Sequence, residues 1–385
     1  MSLPRTAFLV GLGTMLLVIV GLVLLWRTAG GDDPSAAPIA ATDQPATSAP
    51  SVTTAGDGDA AALEAETSRA DAAESRASEL EGRVGDLEGQ VSELQDRLAA
   101  QPVPALPASW LDRTIVATDA QFVSGNDVGI AVVGQFGGYA NIDPVTGVIT
   151  ATGQIADGAS RVLRTDSAAW ATNYEGNEVL RVDPVTNQVV ASIAFPSPDG
   201  LAKDGGTLIV ASFDGGFVGR VDPGLAETTQ QVDVGGNATA VLVTEAGRIF
   251  AAVFDTGEVV EIDPTTFTVL DRWIVGNGPV GLAPDGDVIW VSNRREGTVV
   301  ALDLTTGEVG EAVAVGQGPT EVAVAFGAVW VAVTDAGDLV EVDPGTLTVV
   351  TRTPLGGAPT GLTVSGGSLW VGVAGDQSVV RVTPR

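Results

Sequence analysis

The chain has 385 residues and a formal net charge of −29, and it contains neither histidine nor cysteine. So acidic a chain offers no basic surface to neutralise phosphates, and we expect no nucleic-acid partner. The absence of histidine and cysteine excludes disulfides, Cys/His zinc sites, cysteine nucleophiles and a histidine general base.

The first predicted element is a membrane anchor. Residues 7–26 carry no charge and consist mainly of Leu, Val, Ile and Gly, with Arg5 before them and Arg27 after them. At about 1.5 Å per residue this run spans roughly 30 Å, the thickness of a bilayer core. We predict an uncleaved signal anchor within residues 1–29, the N terminus in the cytoplasm and the rest of the chain outside it. A cleaved signal peptide is the alternative.

Two segments separate this anchor from the rest of the chain. Residues 30–62 are almost all Ala, Pro, Ser, Thr, Gly and Asp, which predicts a disordered spacer. Within residues 63–100, Leu80, Val84, Leu87, Val91 and Leu94 follow a heptad spacing. Valine at a and leucine at d favour a parallel two-stranded coiled coil, so we expect a parallel homodimer. A lone amphipathic helix is the alternative. Prolines then predict a linker at 101–109.

From about residue 110 the chain repeats itself. The marker is an apolar residue, Asp and usually Pro; six copies, and a seventh with Thr in place of Asp, lie at intervals of 39 to 41 residues. Its copies are Ile142-Asp143-Pro144, Val182-Asp183-Pro184, Val221-Asp222-Pro223, Ile262-Asp263-Pro264, Leu302-Asp303-Leu304, Val342-Asp343-Pro344 and Val382-Thr383-Pro384. One period predicts strands at 280–283, 288–292, 298–302 and 309–315. Four strands per period predict an all-β, seven-bladed β-propeller over residues 110–385.

The two ends of the repeat region complement each other. The seventh copy stops after its third strand, whereas residues 111–116 (Leu-Asp-Arg-Thr-Ile-Val) match the internal outer strand 270–275 (Leu-Asp-Arg-Trp-Ile-Val). We expect this N-terminal strand to complete the last blade and close the ring.

The second strands resemble a known signature. Trp170-Ala171-Thr172-Asn173 and Trp290-Val291-Ser292-Asn293 resemble the Tyr-Val-Thr-Asn motif of exported YVTN-type seven-bladed propellers, which group with streptogramin-lyase-like and NHL-type propellers. The resemblance covers roughly residues 110–385 and implies the fold. Family members include binding and scaffold proteins and a few enzymes. The lyase chemistry that the resemblance implies uses a histidine base and a divalent cation, and no residue here inherits that base.

Candidate functional residues lie where the repeat departs from its own pattern. The recurring aspartates are interpreted as turn caps rather than as a metal site. The loops between second and third strands carry aromatic residues and arginines, the types that dominate binding hot spots. These rim candidates are Phe136, Tyr174, Phe213, Phe254, Arg294 and Arg295. On the inner strands, Arg161 and Glu321 take the place that Gly281 and Gly361 hold, which predicts a charged pair at the channel mouth.

The sequence therefore predicts a membrane-anchored, extracytoplasmic propeller that binds a protein or cell-envelope ligand, or serves as a scaffold. We expect no cofactor. The alternative is a metal-dependent hydrolase, with calcium held by oxygen ligands, or a streptogramin-lyase-like lyase acting in the central channel.

Overall fold

The computed structural model describes residues 76, 78, 80, 82–87, 90, 103–116 and 119–383. The predicted anchor at 7–26, the spacer at 30–62 and most of the predicted coiled coil lie outside these residues. The described residues before 91 are helical. Within the described ranges, no helix has both the length and the apolar character needed to cross a membrane.

Seven four-stranded antiparallel sheets make up the repeat region as described. We number these blades 1 to 7 along the chain, and each runs from an inner first strand to an outer fourth strand. Blade 1 contains β2 (Phe122–Asn126), β3 (Gly129–Val133), β4 (Gly138–Ile142) and β5 (Ile149–Gln154). Blade 2 contains β6 (Ala159–Arg164), β7 (Ala169–Asn173), β8 (Glu178–Val182) and β9 (Val189–Ala194). Blade 3 contains β10 (Pro198–Asp204), β11 (Thr207–Ser212), β12 (Phe217–Asp222) and β13 (Glu227–Asp233).

The remaining blades follow the same plan. Blade 4 contains β14 (Ala238–Val243), β15 (Ile249–Val253), β16 (Glu258–Ile262) and β17 (Val269–Ile274). Blade 5 contains β18 (Pro279–Asp285), β19 (Val288–Asn293), β20 (Thr298–Asp303) and β21 (Val313–Ala314). Blade 6 contains β22 (Pro319–Ala325), β23 (Ala328–Val333), β24 (Asp338–Asp343) and β25 (Thr348–Pro354). Blade 7 contains β26 (Ala358–Ser365), β27 (Ser368–Ala374), β28 (Ser378–Val382) and β1 (Leu111–Ile115). The predicted seven-bladed propeller is confirmed.

The ring closes through the first strand of the chain. Strand β1 pairs antiparallel with β28, in a register that runs from Leu111 opposite Val382 to Ile115 opposite Ser378. Without β1 the third strand of blade 7 would present an unpaired edge. The closure predicted from the matching sequences at 111–116 and 270–275 is therefore confirmed.

The segment just before β1 docks on blade 6. The backbone N–H of Arg352 donates to the carbonyl oxygen of Pro104 at 2.9 Å, and the N–H of Leu106 donates to Thr353 Oγ1 at 2.9 Å. The Leu106 side chain is buried beside Trp330. A short 3₁₀ helix, Ala108–Trp110, then leads into β1. The chain thus enters the ring along a fixed path at the outer edge of blade 6.

Core residues lie between neighbouring blades. Second strands such as β3, β7 and β15 are buried along their whole length because a blade covers each of their faces. Trp330 and Trp370 are fully buried in these layers, as expected for packing between blades. The outer strand of blade 5 is shorter than predicted. It covers only Val313–Ala314, since a glycine, Gly310, weakens the first half of the predicted strand.

Candidate functional site

The recurring aspartates cap turns. Oδ1 of Asp143 accepts hydrogen bonds from the backbone N–H groups of Val145 at 3.0 Å and Thr146 at 2.7 Å. The same Oδ1 arrangement recurs at Asp183, Asp222, Asp263, Asp303 and Asp343. At Asp143 these bonds, led by the one from Thr146, hold the pKa of the carboxyl below its usual range. The interpretation as turn caps is confirmed.

Turns between second and third strands emerge on one face of the ring, together with the connections between blades. We call this the rim face; the other turns lie on the opposite face. The residue immediately after the second strand is aromatic in three consecutive blades and arginine in the next. It is Tyr174 in blade 2, Phe213 in blade 3, Phe254 in blade 4 and Arg294 in blade 5. In blades 1 and 6 the same place holds Gly134 and Thr334, and in blade 7 the equivalent position by register is Ala374, the last residue of β27. The rim face therefore carries aromatic residues and arginine at this place in blades 2 to 5, and neither in blades 1, 6 and 7.

Tyr174, Phe213, Phe254 and Arg295 form a continuous row, here called the aromatic row. The ring centroids of Tyr174 and Phe213 are 6.3 Å apart in an edge-to-face arrangement, and those of Phe213 and Phe254 are also 6.3 Å apart. The Arg295 guanidinium carbon lies 4.2 Å from the centroid of Phe254. Each ring is half-buried, so packing fixes its position while one side stays open to solvent. Next to the row, Arg294 Nη2 lies 2.9 Å from Asp335 Oδ1 of blade 6.

Phe136 stands apart from the other rim candidates. It lies in the turn after β3, two residues beyond the place that Gly134 holds, and 70% of its surface is exposed. Among the residues that the structure describes it has no aromatic neighbour. Four of the six rim candidates therefore form the aromatic row, a fifth, Arg294, lies beside it, and Phe136 lies apart from it.

Carboxylates flank the aromatic row. Glu175, Asp214 and Asp255 each follow a ring directly in the sequence, and all three are exposed. The Tyr174 hydroxyl donates to Asp214 Oδ2 at 2.5 Å, and this bond raises the pKa of the tyrosine. The aromatic-acidic dipeptide repeated in blades 2, 3 and 4 is the sequence signal that would have identified these carboxylates.

The predicted charged pair of Arg161 and Glu321 is an ion pair across the central channel. Arg161 on β6 of blade 2 reaches Glu321 on β22 of blade 6. Arg161 Nε also lies 3.3 Å from Oδ1 of Asp199 on β10 of blade 3. Asp199 was not among the sequence candidates, because it sits in a β-bulge between Pro198 and Leu201 that spacing does not reveal.

Burial controls the charges in this cluster of Arg161, Asp199 and Glu321. Their side chains are 14%, 21% and 19% exposed, respectively. Burial raises the pKa of both carboxyls, although the nearby guanidinium opposes that shift. Burial alone would lower the pKa of Arg161, but Glu321 and then Asp199 raise it. The guanidinium also stacks 4.4 Å from the ring centroid of Phe122. The arrangement braces three blades through one shared cation.

The channel beside this cluster contains a cavity of about 170 Å³. Its walls come from inner strands of all the blades and combine apolar side chains, for example Leu163, Leu201 and Leu282, with the polar side chains of Arg161 and Glu321. Within the described part of the chain, no group of three or more Asp, Glu, His or Cys side chains is placed to hold a metal ion. The described residues thus offer no carboxylate cluster that would support a calcium site.

No protein-family model matches the chain, and no curated protein matches it. Similar solved structures include a streptogramin B lyase, with a TM-score of 0.61 and 13% identity over 71% of this chain and 97% of that one. A catalytically inactive histidine-to-alanine variant of virginiamycin B lyase from Staphylococcus aureus, with quinupristin, has a TM-score of 0.59 and 12% identity over 71% and 99%. The WD40 domain of Pan2 from Neurospora crassa has a TM-score of 0.59 and 16% identity over 73% and 98%.

The chain is a seven-bladed β-propeller, a fold suited to binding or scaffolding. Its architecture is streptogramin-lyase-like, as the resemblance of its second strands predicted. At these identities the likeness establishes the fold alone.

Proposed function

We propose that this propeller is a binding or scaffold module that recognises a protein or cell-envelope ligand on its rim face. The observation that carries the proposal is the aromatic row, in which three rings and an arginine line up across four adjacent blades. Aromatic and arginine side chains dominate binding hot spots because they bury large surfaces at low entropic cost. The closed ring holds them in fixed positions, which lowers the cost of ordering them on binding.

We further propose that the propeller is displayed outside the membrane by a single N-terminal anchor, with the N terminus in the cytoplasm. The uncharged run at 7–26 supports this. A parallel coiled-coil dimer is supported by Leu80 and Leu87, which occupy d positions and are 56% and 47% exposed in the single chain. A partner helix would cover them. Two tethered propellers would then bind a multivalent ligand with increased avidity.

The rim is tested by site-specific photo-crosslinking in cells with the full anchored chain. A photoreactive phenylalanine analogue replaces Phe213 on the rim face or, as the control, Val185, which is 84% exposed on the opposite face. We expect adducts from position 213, and we expect Tyr174→Ala with Phe254→Ala to abolish them. Adducts of equal yield from both positions, or adducts indifferent to these two changes, would refute recognition at the rim.

One observation favours the second candidate, a lyase or metal-dependent hydrolase in the channel: the fold likeness to streptogramin B lyase. At 13% identity this likeness establishes the fold and not the activity. Incubation of the full chain with quinupristin and Mg²⁺ or Ca²⁺, followed by chromatography, separates the candidates. Consumption of the antibiotic would favour the enzyme, and its persistence would favour the binding module.

A further inference from the structure

The aromatic row contains its own example of cation recognition. The Arg295 guanidinium lies over the ring of Phe254 at 4.2 Å, and the neighbouring Arg294 pairs with Asp335 at 2.9 Å. Guanidinium groups both stack on aromatic faces and pair with carboxylates, which ammonium groups do less well because they are compact and strongly hydrated. Blade 5 thus fills one end of the row with arginine from the chain itself.

Blades 2 and 3 repeat the aromatic and acidic elements without the arginine. Tyr174 is followed by Glu175, and Phe213 is followed by Asp214. In the described residues no guanidinium of the chain lies over either ring. Asp214 accepts its hydrogen bonds through Oδ2, from Tyr174 and Ser197, and its Oδ1 has no partner within the described ranges. Each of the two blades therefore presents an open ring next to an exposed carboxylate.

The spacing of these places fits an extended segment. Neighbouring ring centroids along the row are 6.3 Å apart. Alternate residues of an extended strand are about 6.6 to 6.8 Å apart and point to the same side. The chain as a whole has a net charge of −29, which attracts a basic partner over long range.

We propose that the aromatic row binds a basic, extended segment of a partner protein that presents arginine at alternate positions. Two partner guanidinium groups stack on Tyr174 and Phe213 and pair with Glu175 and Asp214. This inference rests on the proposed function and specifies the chemistry of the ligand.

The inference is tested with the full chain in detergent and a fluorescein-labelled peptide of alternating arginine and serine, by fluorescence anisotropy. Three comparison peptides replace arginine with citrulline, replace it with lysine, or gather the same arginines into one block. We expect the alternating arginine peptide to bind most tightly, lysine and the block peptide to bind more weakly, and citrulline to bind weakest. Binding should weaken as salt rises, because the carboxylates are exposed.

Variants locate the binding site. Tyr174→Ala with Phe213→Ala should weaken binding about tenfold, since an exposed cation–π contact accounts for a factor of about two to five. Phe213→Leu keeps an apolar side chain there and should still weaken binding, which separates loss of the ring from loss of packing. Asp214→Asn should weaken binding, whereas Glu245→Gln, the same charge change at an exposed residue on the opposite face of blade 4, should not.

Equal binding of the citrulline peptide, or an equal effect of Asp214→Asn and Glu245→Gln, would overturn the inference. The outcome is separable from that of the proposed function. If the peptides fail to bind while position 213 still crosslinks a partner, recognition at the rim stands and arginine is not its target. If crosslinking also fails, both are rejected.

Discussion

The ion-pair cluster in the channel gives a sharp prediction for Arg161→Gln. Glutamine removes the cation that Glu321 and Asp199 share. With only 19% and 21% of those side chains exposed, little water replaces it. Removing one partner of a buried ion pair costs about 3 to 5 kcal/mol, and the remaining channel water favours the low end, about 3 kcal/mol. For a domain of this size that lowers the melting temperature by about 6 °C or more.

The cost should depend on pH. Burial already raises the pKa of Asp199 and Glu321, and the loss of Arg161 removes the interaction that opposes this rise. A carboxyl whose pKa is raised in the folded state contributes stability below its ordinary pKa and loses that contribution as the pH rises through the folded-state pKa. The destabilisation by Arg161→Gln should therefore be larger at about pH 8 than at about pH 5.

Urea unfolding followed by tryptophan fluorescence at both pH values measures this effect. The matched control is Arg294→Gln. Arg294 Nη2 lies 2.9 Å from Asp335 Oδ1, but the two side chains are 35% and 52% exposed. Loss of that more solvated pair should cost about 1 kcal/mol or less. If Arg161→Gln cost no more than the control, or cost the same at both pH values, the cluster would not be the cross-channel brace described above.

Three further predictions concern closure, blade spacing and turns. Leu106→Ala should destabilise the propeller by about 3 kcal/mol in calorimetry, because it leaves a cavity at the edge of blade 6, whereas the 39%-exposed Val103→Ala should have little effect. Gly281→Ala places a Cβ 2.5 Å from a carbonyl oxygen of blade 6 and should cost about 1 to 3 kcal/mol in urea unfolding, whereas Gly206→Ala meets nothing within 4 Å. Backbone N–H groups lower the pKa of Asp263, so its contribution to stability is present above the ordinary aspartate pKa and is lost as the pH falls through the folded-state value. Asp263→Asn keeps the hydrogen-bond acceptor without the charge, so the stability of this variant, followed by circular dichroism during acid unfolding, should depend less on pH than that of the unchanged protein. Each prediction is contradicted if the variant and its comparison protein lose the same stability.

Local features of the sequence were enough to predict the ring. The turn aspartates recur at nearly constant spacing, and each turn is stabilised by its own side chain, as Asp143 illustrates. The closing strand was predictable because residues 111–116 repeat an internal outer strand, and β-strand pairing is specified by such patterns.

Long-range geometry explains what the sequence left out. Alignment of the repeats showed that Arg161 and Glu321 depart from the pattern, but it did not show that they touch across the channel. The bulge that places Asp199 beside them has no sequence signature of its own. Phe136 lies in the same kind of turn as the other rim aromatics, but two residues further from the end of the second strand, so it projects elsewhere. Its distance from the strand end is the sequence feature that distinguishes it from Tyr174, Phe213 and Phe254.

Closure and asymmetry together explain why we place recognition on the rim. A ring sealed by β1 and braced by Arg161 is a rigid support, so variation in its turns costs the core little. Arg161 and its two carboxylate partners already interact with one another in the channel, so a ligand bound to any of them would have to displace an existing ion pair. The groups that stay open are the rings of Tyr174 and Phe213 with their adjacent carboxylates, and they occur on one side of the rim only. On the proposal above, a ligand bound to this side carries positive charge at the spacing of the blades.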